Sequence, residues 1–283
     1  VGGVAQGVEI SDAPYVCWAN NDLIFCEGWL EEILSILKNN DKIGVVSPNS
    51  NSLGVYPDQG LSLPDFAAGL RKKYSGVFVE MPFCVGFCLV VKREVIDKIG
   101  GLSADFAPGY FEDTDYSMAA KKAGYLIGFA KAAYVWHHEH VSFKQVKKKQ
   151  EEAFSKNLDK FNRKWGRILR IACFADNYQE VFVSLAAGVE LTRQGNYITF
   201  YVKDTDIRRE EIFRACNLFE NTGIQFKRSG NPIFVMVKIV FKKKRFDLII
   251  CRGFLKFFFR FMGYRVSDRF DQELAASIKS CVQ

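Results

Sequence analysis

Two carboxylates and a histidine stand out for where they fall. Glu112 and Asp113 sit side by side in Phe111-Glu112-Asp113-Thr114-Asp115, and Trp136-His137-His138 follows one helix and one strand later. Tyr116, Ala119, Ala120 and Ala123 recur at the three-and-four spacing of one apolar helix face. Gly124 then ends that helix in a left-handed conformation. The acidic pair therefore occupies a loop-to-helix junction, from which a side chain can project into a cleft. Residues 125–135 form an apolar run broken by Lys131, so His137 closes the next strand. A carboxylate pair at a helix start and a histidine at a strand end can converge as a general base and a metal ligand. The plainer alternative is an acidic first turn that only stabilises its own helix.

The elements that must position these residues read as α/β. A Gly-rich turn opens the chain. Residues 15–19 have the look of a buried parallel strand, ending at Asn20-Asn21-Asp22. In open α/β sheets, ligands bind at that carboxyl end. Trp29, Leu30, Ile33, Leu34 and Leu37 mark an amphipathic helix. Residues 43–48 form the next strand, and 49–76 read as loop-rich, a mobile or substrate-facing segment. An apolar run over 84–91 is followed by a short helix over 92–99. Phe154, Leu158, Phe161 and Trp165 then mark a helix with a basic outer face, an arm closing the first domain. From residue 168 a fresh alternation begins. Strands over 168–175, 197–202, 224–227 and 247–251 alternate with helices over 180–193 and 207–220, which implies a parallel sheet. The boundary falls near Gly166, giving domains 1–166 and 167–283.

Composition narrows the class. The chain has 283 residues and a net charge of +7, which favours anionic partners such as nucleotide phosphates or acidic lipid. No nucleic-acid module is recognisable and the aromatics read as core, so nucleic acid is not expected. Eight cysteines occur without a CxxC pair or zinc spacing, the pattern of reduced thiols in a cytosol. No run reaches the ~18 apolar residues of a membrane span, and no signal peptide is visible. A cytoplasmic protein follows, with one qualification. Residues 253–263 crowd Phe254, Leu255, Phe257, Phe258, Phe259, Phe261 and Met262 beside Arg252, Lys256 and Arg260. That is either a membrane-surface helix, with contact through 252–265 at the inner face, or a buried helix with snorkelling basic residues. The buried helix is the favoured expectation.

Taken together, the motifs of the first half resemble the family-2 glycosyltransferases of the GT-A fold, especially bacterial rhamnosyl- and galactofuranosyl-type enzymes. The matching text is Asn20-Asn21-Asp22 with Gly28-Trp29-Leu30, Gly86-Phe87-Cys88-Leu89-Val90-Val91-Lys92-Arg93, Ile99-Gly100-Gly101-Leu102, Tyr110-Phe111-Glu112-Asp113-Thr114-Asp115-Tyr116, Ala123-Gly124-Tyr125 and Val135-Trp136-His137. Order and spacing hold over residues 1–143. The resemblance implies a mixed sheet flanked by helices, followed here by a second, Rossmann-like α/β domain. With Ile168-Leu169-Arg170-Ile171 opening a sheet and Gly188 to Gly195 before the next strand, residues 167–283 resemble, more weakly, the N-terminal half of a GT-B glycosyltransferase.

What the family implies falls on particular residues. Asn20, Asn21 and Asp22 stand at its metal- and donor-binding DxD-type motif, with Asp22 the carboxylate ligand and asparagine replacing acid in the first two places. His137 matches a later metal ligand, while His138 and His140 read as supporting or surface residues. Asp113 matches the catalytic base, with Glu112 beside it. Gly86, Phe87 and Cys88 match the wall beneath donor sugar and acceptor. Gly2, Gly3, Ala5 and Gln6 match a Gly-rich turn near the donor, with Gly3 and Gln6 as donor-binding residues. The implied cofactor is Mn²⁺ or Mg²⁺, and the implied donor a UDP- or dTDP-linked sugar. The acceptor is a glycan or lipid-linked saccharide in surface polysaccharide assembly, reached by a single inverting displacement. The family's first nucleotide-gripping strand has no counterpart after Val1, so the chain alone is expected to turn over weakly or not at all. A catalytically incomplete scaffold is the alternative function.

Overall fold

The computed structural model describes residues 2–107, 109–138, 147–203, 209–230, 235, 237, 239–241, 246–268 and 270. Contacts divide the chain into two compact units, Val1–Trp165 and Gly166–Gln283.

The first unit runs α1 (Gly2–Glu9), β1 (Tyr15–Ala19), β2 (Leu23–Phe25), α2 (Trp29–Asn39), β3 (Ile43–Asn49), α3 (Leu63–Tyr74), β4 (Phe78–Glu80), β5 (Cys88–Lys92), α4 (Arg93–Ile99), α5 (Glu112–Lys122), β6 (Leu126–His137) and α6 (Lys147–Trp165). It is an α/β unit with a mixed sheet flanked by helices. The strand order is β1-β5-β3-β6-β4, with β2 also paired to β6. β3 and β6 run parallel, and the other pairings are antiparallel. α4 and α5 cover the face bearing Val45, Leu89, Val91 and Ile127. α3 packs Phe66, Ala67 and Leu70 around Tyr134 of β6. Coverage of this kind explains why all seven residues of β3 are buried. Where β4 crosses β6 the strands meet so closely that a Cβ on Gly128 would lie 2.1 Å from the Val79 carbonyl oxygen.

Three expectations change here. The opening Gly-rich turn is the helix α1. Val8 packs on the core around Trp18, and Arg93 donates to the carbonyls of Val8, Ser11 and Ala13 at 3.3, 2.6 and 3.2 Å. This tertiary anchoring outweighs the poor helix propensity of the glycines. β1 is antiparallel to β5 and lies at one end of the strand order, rather than being an interior parallel strand. The span 49–76 contains a 3-10 turn, Asn51–Leu53, and the whole of α3. Ser62 caps α3 by accepting from Asp65 N, with proline in the first turn. Its apolar face is narrow, so it passes for loop by composition. The apolar run over 84–91 is strand only from Cys88, and the residues before it turn toward α5.

The second unit runs β7 (Arg170–Ala175), α7 (Tyr178–Arg193), β8 (Tyr197–Val202), α8 (Arg209–Ala215), β9 (Glu220–Asn221), β10 (Ile224–Arg228), β11 (Leu248–Ile250), α9 (Gly253–Phe261) and β12 (Val266–Ser267). β10, β8, β7, β11 and β12 form a sheet in that order with every pairing parallel. On β7, Ile171, Cys173 and Ala175 join the core with α7 and α8, while Ala172 faces the cluster around Phe259 of α9. Both faces are thus buried, as a parallel sheet requires. The helix expected over 207–220 ends at Ala215, where Asn217 takes a left-handed φ of 53° and turns the chain into β9. The expectation of a buried helix at 253–263 is also corrected. α9 buries Phe259, but Phe254, Phe257 and Phe261 stand exposed. Among the described residues no helix is long and apolar enough to cross a membrane.

Candidate functional site

Strand register builds the first half of the site. β2 pairs antiparallel with the end of β6, placing Leu23 opposite His137. The His138 N–H donates to the Asp22 carbonyl at 3.0 Å. Asp22 therefore sits against His137, with Oδ1 3.2 Å from Nε2. Asn20 Nδ2 approaches the same ring nitrogen at 3.3 Å.

Sequence reasoning missed the group that holds the histidine. Ser52 Oγ lies 2.9 Å from His137 Nδ1. Asn51 clamps the backbone of the same residue: its Nδ2 donates to the His137 carbonyl and its Oδ1 accepts from the His137 N–H, both at 2.8 Å. Asn49 donates to Lys131 O, and Ser50 caps the 3-10 turn. The signal was present as Ser47-Pro48-Asn49-Ser50-Asn51-Ser52, a density of short side chains that can bond backbone groups. It reads as loop until the end of β6 is seen to need those partners.

The second half is built around Asp113. Gly86 N–H donates to Asp113 Oδ2 at 2.8 Å. Thr114 N–H and Oγ1 donate to Oδ1 at 2.6 and 3.1 Å. A Cβ on Gly86 would come within 3.1 Å of the Asp113 carboxylate, which is why glycine suits this position. Entry into α5 passes through Tyr110 and Phe111, with φ of 70° and 73°. Two successive non-glycine residues in the left-handed region store strain of the kind that gathers at functional sites. Beside Asp113, Glu112 Oε2 is buried without a hydrogen-bond partner among the described residues. Burial pushes the Glu112 carboxyl up from its ordinary value, and neighbouring Asp113 adds to the rise.

Gly86-Phe87 joins the two halves. While Gly86 holds Asp113, the Phe87 carbonyl accepts from Asn20 N–H at 2.8 Å. The Phe87 ring stacks on the His137 imidazole at 5.5 Å and 20°. Cys88 is fully buried in β5, its Sγ 3.9 Å from that of Cys17, so it backs the wall from inside. Asn21 is exposed at the bend after β1, and His138 is exposed. Gly3 lies in the first turn of α1, and Gln6 is exposed on the same helix. His140 lies outside the described residues. The seven described cysteines are free thiols.

Two ligand atoms about 2.1 Å from a cation and at right angles lie about 3.0 Å apart, close to the 3.2 Å between Asp22 Oδ1 and His137 Nε2. The Ser52 contact at Nδ1 occupies the place of the outer hydrogen bond by which a metal-binding histidine would be oriented. Among the described residues no three His, Cys, Asp or Glu side chains gather as a metal group. The protein would therefore supply two ligands and leave the rest to ligand oxygens and water, as Mg²⁺-type sites do.

α5 is fastened from outside. Asp115, 4% exposed, accepts from Lys164 Nζ at 2.7 Å and from Trp165 Nε1 at 2.7 Å. Asn157 Nδ2 donates to the carbonyls of Phe106, Gly109 and Tyr110. The arm α6 thus grips both the strained entry and the first turn of α5.

In the second unit, a cavity of about 380 Å³ opens beyond Ala175 and Cys251, lined also by Asn177, Glu180 and Arg252. It lies where the strand order reverses, the usual ligand position of a doubly wound sheet. The start of α7 is self-capped: Asn177 Oδ1 accepts from Glu180 N–H and Glu180 Oε2 from Asp176 N–H, at 3.0 and 3.1 Å.

No family model matches the chain. It is similar to an uncharacterized protein, y4gI, of Sinorhizobium fredii (strain NBRC 101917 / NGR234), with 32% identity over 97 residues. The match covers 34% of this chain and spans about a tenth (10%) of that relative's length.

Proposed function

We propose that the first unit is a GT-A-type glycosyltransferase module that binds a nucleoside-diphosphate sugar with a divalent cation and transfers the sugar with inversion. The observation that carries this reading is the pairing of Asp22 with His137 at the carboxyl end of β1, tied through Gly86-Phe87 to Asp113. The second unit is its Rossmann-like partner, and its doubly wound order supports that reading.

Asp22 and His137 would hold Mn²⁺ or Mg²⁺, which when bound supplies Lewis-acid stabilisation of charge on a leaving diphosphate. Ser52 and Asn51 keep the imidazole in place, so Nε2 faces Asp22 before ligand arrives. Phe87 walls the ring from solvent. Asp113 serves as general base toward the acceptor hydroxyl. A carboxylate offers about four lone-pair sites; three are engaged by Gly86 and Thr114, leaving one for the incoming proton. Those same bonds fix its direction, as a positioned base requires. Among the described residues no second carboxylate is placed as a nucleophile, which supports a single displacement with inversion. The acceptor class is a glycan or lipid-linked saccharide.

Calorimetric titration of UDP or dTDP with Mn²⁺ into the chain tests the reading. Cation-dependent binding that disappears in both Asp22→Ala and His137→Ala is expected. Equal binding with and without cation, or retained by both variants, would sink it.

A further inference from the structure

We infer that α9 is an interfacial helix that docks the second unit onto an anionic lipid surface. This goes beyond the transferase reading and does not depend on it. Phe254, Phe257 and Phe261 are 73%, 72% and 89% exposed. At 100° per residue they occupy a sector of about 60° on one side of the helix. The opposite side is anchored by Phe259, which is fully buried, with Phe258 and Leu255 packed around it. The aromatic stripe is therefore not core that failed to close. Its helix is already satisfied on the inner face and presents a second apolar face outward. Contiguous apolar surface of this kind on a folded unit marks an interaction site.

Charge selects the occupant. Arg252, which precedes α9 as its N-terminal cap residue, recurs at four with Lys256 and Arg260, and Arg252, Arg260 and the nearby Arg265 are exposed. Arg260 falls about 60° round the helix from Phe257, so a guanidinium borders the stripe. Among the described residues two acids lie close: Glu180 is 3.6 Å from Arg252, and Asp268 is 2.5 Å from Lys256. The four described basic groups, Arg252, Lys256, Arg260 and Arg265, outnumber these two, on a chain carrying +7. An apolar ridge with a basic border matches the boundary between acyl chains and anionic headgroups. Nine residues give about 13 Å of helix, far short of a ~30 Å hydrocarbon core, so α9 would lie in the surface rather than cross it.

The test is co-sedimentation of the full chain with sonicated vesicles, without nucleotide or metal, so that it stands apart from the nucleotide-binding experiment. Neutral phosphatidylcholine vesicles are compared with vesicles carrying phosphatidylserine. The expected result is binding to the anionic vesicles, lost at high salt and weakened about tenfold by each of Phe254→Ser, Phe257→Ser and Phe261→Ser. Arg260→Gln weakens it on anionic vesicles while leaving circular dichroism unchanged. These exposed substitutions leave Phe259 in place, and thermal melts confirm folding. No binding to anionic vesicles by the parent overturns the proposal. So does unchanged binding by the triple phenylalanine variant. Self-association of the parent that the triple variant abolishes, without vesicle binding, would assign the stripe to a second copy instead.

Discussion

The Nδ1 edge of His137 lies 2.9 Å from Ser52 Oγ, which turns its Nε2 edge toward Asp22 Oδ1 at 3.2 Å. The histidine is oriented from behind by a turn that contributes no ligand itself. Ser52→Ala should therefore lower Mn²⁺ affinity about 10- to 100-fold. Stability should change by no more than the ~1 kcal/mol of one hydrogen bond. Manganese titration followed by electron paramagnetic resonance, with a thermal melt beside it, measures both.

On the proposed reading, Asp113 and the Asp22–His137 pair have separate roles. Asp113→Asn should leave cation-dependent nucleotide binding intact and reduce any sugar transfer by about 10²- to 10⁴-fold. Gly86→Ala should act in the same direction, because its new Cβ presses on the Asp113 carboxylate. A loss of nucleotide affinity in either variant, larger than the loss of transfer, would show that Asp113 serves the donor and not the acceptor.

Glu112 predicts a pH dependence. Burial and then Asp113 raise its folded-state pKa above the ordinary value of 4.5. The fold therefore favours the protonated form. That stabilisation is full below the unfolded value and is lost as pH rises through the higher folded one. Glu112→Gln removes the loss, so the variant should melt higher than the parent at pH 7 and at the same temperature near pH 3. An equal difference at both pH values would place the effect elsewhere.

Two structural variants test what holds the site. Asp115→Ala removes the acceptor of Lys164 and Trp165, and should cost about 2–3 kcal/mol in urea unfolding while loosening α6. Gly128→Ala places a Cβ 2.1 Å from the Val79 carbonyl. It should cost at least about 3 kcal/mol by forcing β4 off β6.

The sequence made the site's poles legible and its fastenings obscure. Asp22, Asp113 and His137 each fall at the end of a strand or the start of a helix, and hydrophobic periodicity finds such ends. Ser52 and Asn51 were hidden because their partners lie on β6, far along the chain, and polar turns carry no period. α3 was missed because its buried face is narrow and the rest of it is polar. The direction of β1 was misjudged because a short apolar run looks alike in parallel and antiparallel sheets. Phe254, Phe257 and Phe261 read as core from the sequence because composition shows how apolar a helix is, not which of its faces is covered.

The most direct test is an anomalous difference map from crystals of the chain grown with Mn²⁺ and a nucleoside diphosphate. The expected result is a manganese peak about 2.1–2.2 Å from both Asp22 Oδ1 and His137 Nε2, with diphosphate oxygens completing its coordination and Asp113 unliganded. A diphosphate bound while Asp22 and His137 remain in direct contact, with manganese elsewhere or absent, would contradict the metal-dependent transferase reading.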